Sequence, residues 1–335
     1  MHRVTILFVS VAFSTLTAVV PAAAELPPVD NLLADVGLSA SEIADVKAGK
    51  IVDQSVSSAH ERDLASAFAF FVPTPPAELV KALKEGLLGK IDPNEIARGK
   101  ISPAGAIADF ATLTLSPDAE KRAKRYVSAK GGDDLNLSTG EIAAFNKLGA
   151  SAAVADVEAE VRAALLARYQ AYHAKGLAGI PPYDRGEGAS RSVADDLRKS
   201  LDALKNLKKH ASAAYSAMLN YPSGLPAGTE DNFTWVHLKA HDVPTIVLTQ
   251  GLFVPDGDAY LVLQRQFYVS EGFNCEQAVA GFLPAQGGTV VVYANHTSTD
   301  QVTGFGGGAK RSIGSKLMAS ELEGIFTKLQ KSAKK

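Results

Sequence analysis

Between Asn232 and Thr297 lie four strand-like segments: NFTWVHLKA, TIVLTQGLFV, AYLVLQRQFYV and GTVVVYANHT. β-Branched and aromatic residues fill them and short polar breaks separate them, which is the composition of strands. The break between the second and third is PDGD, where Gly257 suits the positive φ that a tight hairpin demands. Strands joined by such short turns run antiparallel. Any fold for this chain is therefore built around an antiparallel sheet. A further short strand is expected within CEQAVAGFLP.

The other end of the chain carries two more strand patterns, IVDQSV and DLASAFAFFV. In the second, Leu64, Ser66, Phe68 and Phe70 share one face, and Ala65, Ala67, Ala69 and Phe71 the other. VPTPPAELVKALKEG follows. Its prolines end the strand and start a helix with the stripe Leu79, Val80, Leu83, closed by Gly86. Residues 25–50 predict an extended lead and a short helix capped by Ser39 or Ser41. The middle reads as helical: short helices alternating with loops over 92–148, then a long helix from Ala152 to Lys175 with Val154, Val157, Val161, Leu165 and Tyr169 on one face. Another helix is expected from Ser192 to Asn220. A last one, over 309–331, is expected to bury Ile313, Leu317, Leu322, Ile325 and Leu329. The class is α+β.

The first 24 residues read as a secretory signal peptide, with a basic start, an apolar run from Ile6 to Val20 and small residues Ala22 to Ala24. The alternative, a membrane anchor, is weakened by Ser10, Ser14 and Thr15 within the run and by Pro21 after it. Cleavage is expected after Ala24. That leaves residues 25–335 as a single exported domain, periplasmic or extracellular, with no transmembrane segment in the mature chain. Cys275 is the only cysteine, so an internal disulfide is excluded and the fold relies on its core. Basic and acidic residues balance at 34 and 36, which gives no reason to expect nucleic acid as a partner.

The order of elements, carried by GKIVDQSV…FFVPTPPAELVKALKEG and by GGTVVVYANHTSTDQVTGFGGGAKRSIGSKLMASELEGIF, resembles the helix-grip fold of the StART-like superfamily. The resemblance implies a curved antiparallel sheet gripping a long C-terminal helix, with an apolar cavity between them. Sheet and grip helix would come from residues 48–90 and 230–332, and a large helical insertion from about 92–220. Separately, LQRQFYVS, YANHTSTD and GFGGGAKR resemble segments of a group of exported bacterial proteins with no assigned activity.

Several segments carry candidate chemistry. GFGGGAKRS superficially looks like a phosphate loop, but the Walker spacing is absent. Its glycines let a strand turn closely into a helix. A lesser reading has free amides there, with Lys310 and Arg311, holding a carboxylate or phosphate. In NHTSTD, alternation places His296, Ser298 and Asp300 on one face and Asn295 on the other. Residues two apart on a strand point in parallel and do not converge into a Ser–His–Asp relay. Asp300 is expected to cap a turn or to pair with Arg265 or Arg311. In LVLQRQFYVS, Arg265 shares a face with Leu263 and Phe267, while Tyr268 falls on the other. Unpaired burial of an arginine there is costly, so Arg265 is expected at the sheet's rim or beside an acid, or, in a functional reading, to fix an anionic head group in a cavity. Tyr268 and Tyr293 would add polar points to an apolar cavity. His237 and His241 lack a third ligand, so no metal is expected, and no cofactor or catalytic residue is assigned.

Three functions fit these residues. The first is non-catalytic binding of a lipid or other apolar or amphipathic small molecule, with Arg265, Tyr268, Tyr293, Asn295, Asp300, Lys310 and Arg311 as ligand contacts. The second is an interaction module whose helical middle docks a protein partner. The third is an envelope enzyme, a hydrolase or cyclase-like activity in the same cavity.

Overall fold

The computed structural model describes residues 26–332, apart from Ser55 and His241, so the expected signal peptide lies outside the described residues. The strands are β1 (Val52–Gln54), β2 (Asp63–Val72), β3 (Glu95–Ile101), β4 (Tyr183–Asp184), β5 (Ser190–Arg191), β6 (Glu230–Ala240), β7 (Val243–Asp256), β8 (Ala259–Val269), β9 (Cys275–Ala285) and β10 (Gly288–Ser298). Eight of them form one antiparallel sheet in the order β1-β2-β10-β9-β8-β7-β6-β3; β4 and β5 make a separate small ribbon. The expected meander is present, with Gly257 at φ 59° in the β7–β8 turn. The early strands join the late ones, because β2 pairs with β10 over its whole length.

The helices are α1 (Val29–Asp35), α2 (Ala40–Lys47), α3 (Pro76–Lys84), α4 (Leu87–Ile91), α5 (Ala119–Val127), α6 (Thr139–Leu148), α7 (Val154–Lys175), α8 (Val193–Ala203), α9 (Lys205–His210), α10 (Ser212–Asn220) and α11 (Gly307–Ser332). They cover both sides of the sheet. On the front face, Phe233, Trp235, Ile246, Leu248 and Phe267 pack against α5, α6 and α7. Further along that face, Leu252, Val254, Leu261 and Leu263 meet Leu201, Leu204, Leu207 and Met218 of the α8–α10 region. On the back face, Phe68, Phe70, Phe282 and Val291 pack against Leu79 and Val80 of α3 and Phe326 and Leu329 of α11.

The helix α7 follows its pattern, burying Val157, Val161, Leu165 and Tyr169. It stops at Gly176, whose φ is 55°; a Cβ there would lie 1.9 Å from the Tyr221 carbonyl oxygen. Only glycine permits that approach. The helix expected over Ser192–Asn220 is instead three helices, broken at Leu204 and Ala211, although Val193, Leu197, Leu201, Leu204 and Tyr215 are all buried. Residues 95–101, expected within the helical middle, form edge strand β3 beside β6. EIARGKI is rich in charge, as suits an edge strand, and pairing with β6 decides its conformation.

The terminal helix α11 lies over β2 at the sheet's margin. Strand β1 pairs only with residues 67–69 of β2, and α11 serves backbone groups beyond it. The Ala65 amide donates to Ser315 Oγ at 3.3 Å, and Gln330 Nε2 donates to the Phe71 carbonyl at 2.7 Å. The Phe326 ring stacks on Phe70 at 4.5 Å and meets Phe68 and Tyr293 edge-on at 5.3 and 5.1 Å. These rings fill that part of the space between helix and sheet. The expected buried stripe is corrected in its first half: Ile313 and Leu317 are exposed, and the helix is anchored by Phe326 and Leu329 near its other end. Among the described residues, no helix is long and apolar enough to cross a membrane.

Candidate functional site

A group of ionisable side chains gathers where β2 begins, β10 ends and α8 starts. Strand register brings it about: Asp63 sits opposite Ser298, and Ser298 opposite Cys275. His296 lies opposite Gln277, and Gln277 opposite Arg265. All these side chains belong to the front face, beneath α8 and α10.

The innermost contact joins His296 Nδ1 and Asp63 Oδ2 at 2.7 Å, both buried. With the carboxylate as acceptor, Nδ1 carries the proton. Asp63 Oδ2 also accepts from the Ala59 amide at 2.6 Å. His296 Nε2 and Asp63 Oδ1 are buried with no partner. Ser298 Oγ donates to Asp196 Oδ2 at 2.7 Å, so its proton goes to an acid rather than to His296. This arrangement is a buried dyad beside a separately bonded serine, not a nucleophile relay. His60 stands next to both acids. Burial holds its imidazole below the usual pKa, against the pull of Asp196 and Asp63. Burial also pushes the Cys275 thiol well up, so it is poorly suited to act as a nucleophile.

Toward solvent, three guanidinium groups converge on Asp300. Arg62 Nε donates to Oδ1 at 2.8 Å and Arg185 Nε to Oδ2 at 3.1 Å. Arg191 Nε comes within 3.3 Å of Oδ1, but it is not aligned into a hydrogen bond. Burial alone would raise the Asp300 carboxyl; Arg191 and Arg185, with hydrogen bonds from Arg62 and Arg185, hold it below the usual carboxylate range. Arg185 is positioned by Asn136 Oδ1 at 2.7 Å and Asn274 Oδ1 at 2.9 Å. Glu61 pairs with Arg62, and its carbonyl accepts from Arg311 Nη1 at 2.9 Å. Asp300 is thus the shared partner of three arginines, with Glu61 paired to Arg62 and with Asp63 and Asp196 deeper in the same group.

The residues singled out from the sequence separate into distinct places. Asp300 is at the centre of this cluster and Arg311 at its edge; Lys310 is exposed, its Nζ 3.4 Å from the Thr303 carbonyl. Asp300 pairs with neither Arg265 nor Arg311, which corrects that expectation. Arg265 is fully buried, and its ion-pair partner is also missing among the described carboxylates. It donates instead to Gln277 Oε1 at 2.9 Å, the Tyr172 hydroxyl at 3.1 Å and the Met218 carbonyl at 2.9 Å, leaving Nη2 without a partner. Tyr268 lies on the front face with Arg265, not opposite it. Gln266 pairs with Thr249 and Tyr268 with Leu248, so Phe267 is the extra residue of a β-bulge that reverses the alternation. The Tyr268 ring lies 4.1 Å from the Arg168 guanidinium, and both line a cavity of about 10 Å³, room for one water. Tyr293 and Asn295 lie on the back face, where Asn295 Nδ2 donates to the Tyr293 hydroxyl at 3.1 Å.

Sequence reasoning missed Arg62, Asp63, Arg185, Arg191 and Asp196. The available signal for the first four was the mixing of opposite charges in HERD and DRGEGASR; Asp196, within the expected helix Ser192–Asn220, carried none.

Among the described residues no group of three or more His, Cys, Asp or Glu side chains is arranged to hold a metal. His241 lies outside the described residues; His237 is buried and its Nε2 accepts from Arg122 Nη1 at 2.9 Å. Burial, with the Arg122 charge beside it, pushes the His237 pKa from 6.5 down to about 4. Between those two values the unfolded chain holds a proton that the folded chain refuses. Stability therefore falls as pH drops from 6.5 to 4, by about 3 kcal/mol in total. His237→Gln keeps an acceptor for Arg122 and removes the titration. Urea midpoints measured across this range should slope less steeply in the variant than in the parent.

No family model, no curated protein and no solved structure matches this chain.

Proposed function

We propose that this protein is a non-catalytic binder of an amphipathic small molecule, whose anionic group docks on Arg62, Arg185 and Arg191. The observation that carries the reading is the convergence of these three guanidinium groups on one carboxylate, Asp300, whose side chain is 36% exposed. Guanidinium forks match carboxylate and phosphate geometry. Arg191, whose buried Nε–H makes no hydrogen bond to Asp300 and whose side chain is 20% exposed, is the guanidinium least committed to that carboxylate. The helix-grip likeness, the apolar part of the ligand and the exported location belong to the same proposal. They are supported by the order of the elements, the packing of α11 on β2 and β10, and the pattern of the first 24 residues. The ring cluster around Phe326 occupies part of the space beneath α11, so the anionic group is seated at the arginines instead.

Isothermal titration calorimetry with inorganic phosphate and with monomeric lysophosphatidic acid tests this. Both should bind, and Arg191→Gln should weaken each about tenfold, the effect of losing one charge-assisted hydrogen bond. The variant's circular dichroism should match the parent's. If neither probe binds, or if the variant binds both as tightly as the parent, the proposal is wrong.

One observation favours a second reading, an envelope enzyme using general acid–base chemistry. The His296–Asp63 dyad leaves Nε2 unpartnered, as a base awaiting a substrate proton would be. Under that reading, a molecule captured at the arginines is chemically altered on incubation, and His296→Gln abolishes the change without abolishing capture.

A further inference from the structure

The glycine loop before α11 presents Phe305 entirely to solvent, at 101% relative exposure. Nearly two turns into the helix and again one turn later, Ile313 and Leu317 are 61% and 57% exposed. Large apolar side chains scattered singly on a surface need no explanation. Here the large apolar side chains most exposed among the described residues fall within a 13-residue stretch, Phe305 to Leu317, spanning the loop before α11 and the helix's first turns. The helical pitch puts Ile313 and Leu317 on one stripe, four residues apart. It puts Lys310 and Lys316 on opposite flanks of that stripe, and both are exposed. From residue 301 to residue 320 there are three basic side chains, Lys310, Arg311 and Lys316, and no acidic one. Glu321 and Glu323 begin the other half of the helix, whose apolar residues Phe326 and Leu329 are buried on the sheet.

An apolar stripe bordered by lysines, with an aromatic side chain projected ahead of it, fits the boundary between lipid head groups and acyl chains. The apolar residues enter the boundary, and the lysines remain at the level of the phosphates. We infer that Phe305, Ile313 and Leu317, bordered by Lys310 and Lys316, form a docking face for an anionic phospholipid surface. The charge selects this occupant over a second copy of the chain, which would bring the same lysines against each other. The inference stands apart from the arginine cluster around Asp300, since it uses none of those side chains.

Co-sedimentation of the mature protein with vesicles tests it. Vesicles of mixed phosphatidylcholine and phosphatidylglycerol should retain the protein, and pure phosphatidylcholine should retain far less. Phe305→Ser should weaken binding about tenfold, the effect of withdrawing one large apolar side chain. Lys310→Gln with Lys316→Gln should weaken it about twentyfold and should lessen its sensitivity to salt. All these side chains are exposed, so the variants should melt with the parent. The inference is overturned if the parent does not sediment with the anionic vesicles. It is equally overturned if the lysine variant binds as well as the parent, or if Phe305→Ser leaves the affinity unchanged. A parent dimer that Phe305→Ser converts to a monomer would assign this face to a second copy and also overturn it.

Discussion

Truncating Phe326 to alanine should lower stability by about 3–5 kcal/mol, the range for removing a buried aromatic ring. The loss should not be spread evenly. Phe326 touches Phe68 and Phe70 of β2 and Tyr293 of β10, and Leu329 is the other buried α11 side chain in that core, with Ala319 and Leu322 half-buried against it. The first half of the helix buries little, with Ile313 and Leu317 in solvent. The apolar anchorage is thus concentrated at one end, the first half being tied to β2 and the segment before it by polar contacts from Ser315 and Arg311, and losing the main anchor should release the helix before the sheet opens. Native-state hydrogen exchange should show α11 amides losing protection in the variant while those of β7 and β8 keep theirs. Uniform loss across both regions would mean that helix and sheet unfold as one unit, and would refute the argument for a single anchor.

Asp63→Ala should have an effect of similar size, about 3–5 kcal/mol, because it breaks a buried pair from one side. The substitution leaves His296 Nδ1 and the Ala59 amide without their acceptor in a dry interior. His296→Leu alone should also destabilise, since it strands the carboxylate. The double variant Asp63→Ala with His296→Leu should lose less than the two single effects added together, because neither partner is then left buried alone. Chemical denaturation of the four proteins gives the coupling directly. Strict additivity would show that the 2.7 Å contact contributes nothing, and would remove the dyad from both its structural and its catalytic readings.

Arg265 illustrates why the candidate site was only partly legible. Alternation placed it on a face with Leu263 and Phe267 but left open the rim of the sheet; the structure buries it, and burial of a cation demands compensation. The expected compensation was an acid. The observed one is Gln277 beside it in the sheet, a tyrosine from α7 and a carbonyl at the end of α10, three contributions from three parts of the chain. Tyr268 changed face for a similar reason. A single bulge at Phe267 overrides strict alternation, and its position depends on how β8 registers with β7.

The sequence alone determined the antiparallel meander, the β7–β8 turn at Gly257, the long helix α7 and the near-full extent of α11. These are local properties: alternation, a 3.6-residue period and a glycine at positive φ each act over a few neighbouring residues. Tertiary structure alone decided that EIARGKI is a strand, that Ile313 and Leu317 face solvent, and that Arg62, Arg185 and Arg191 meet at Asp300. An edge strand exists only where a partner offers hydrogen bonds, and a helix stripe is buried only where the sheet is wide enough to receive it. Charges distant in the chain converge only through register and packing, which no local pattern encodes.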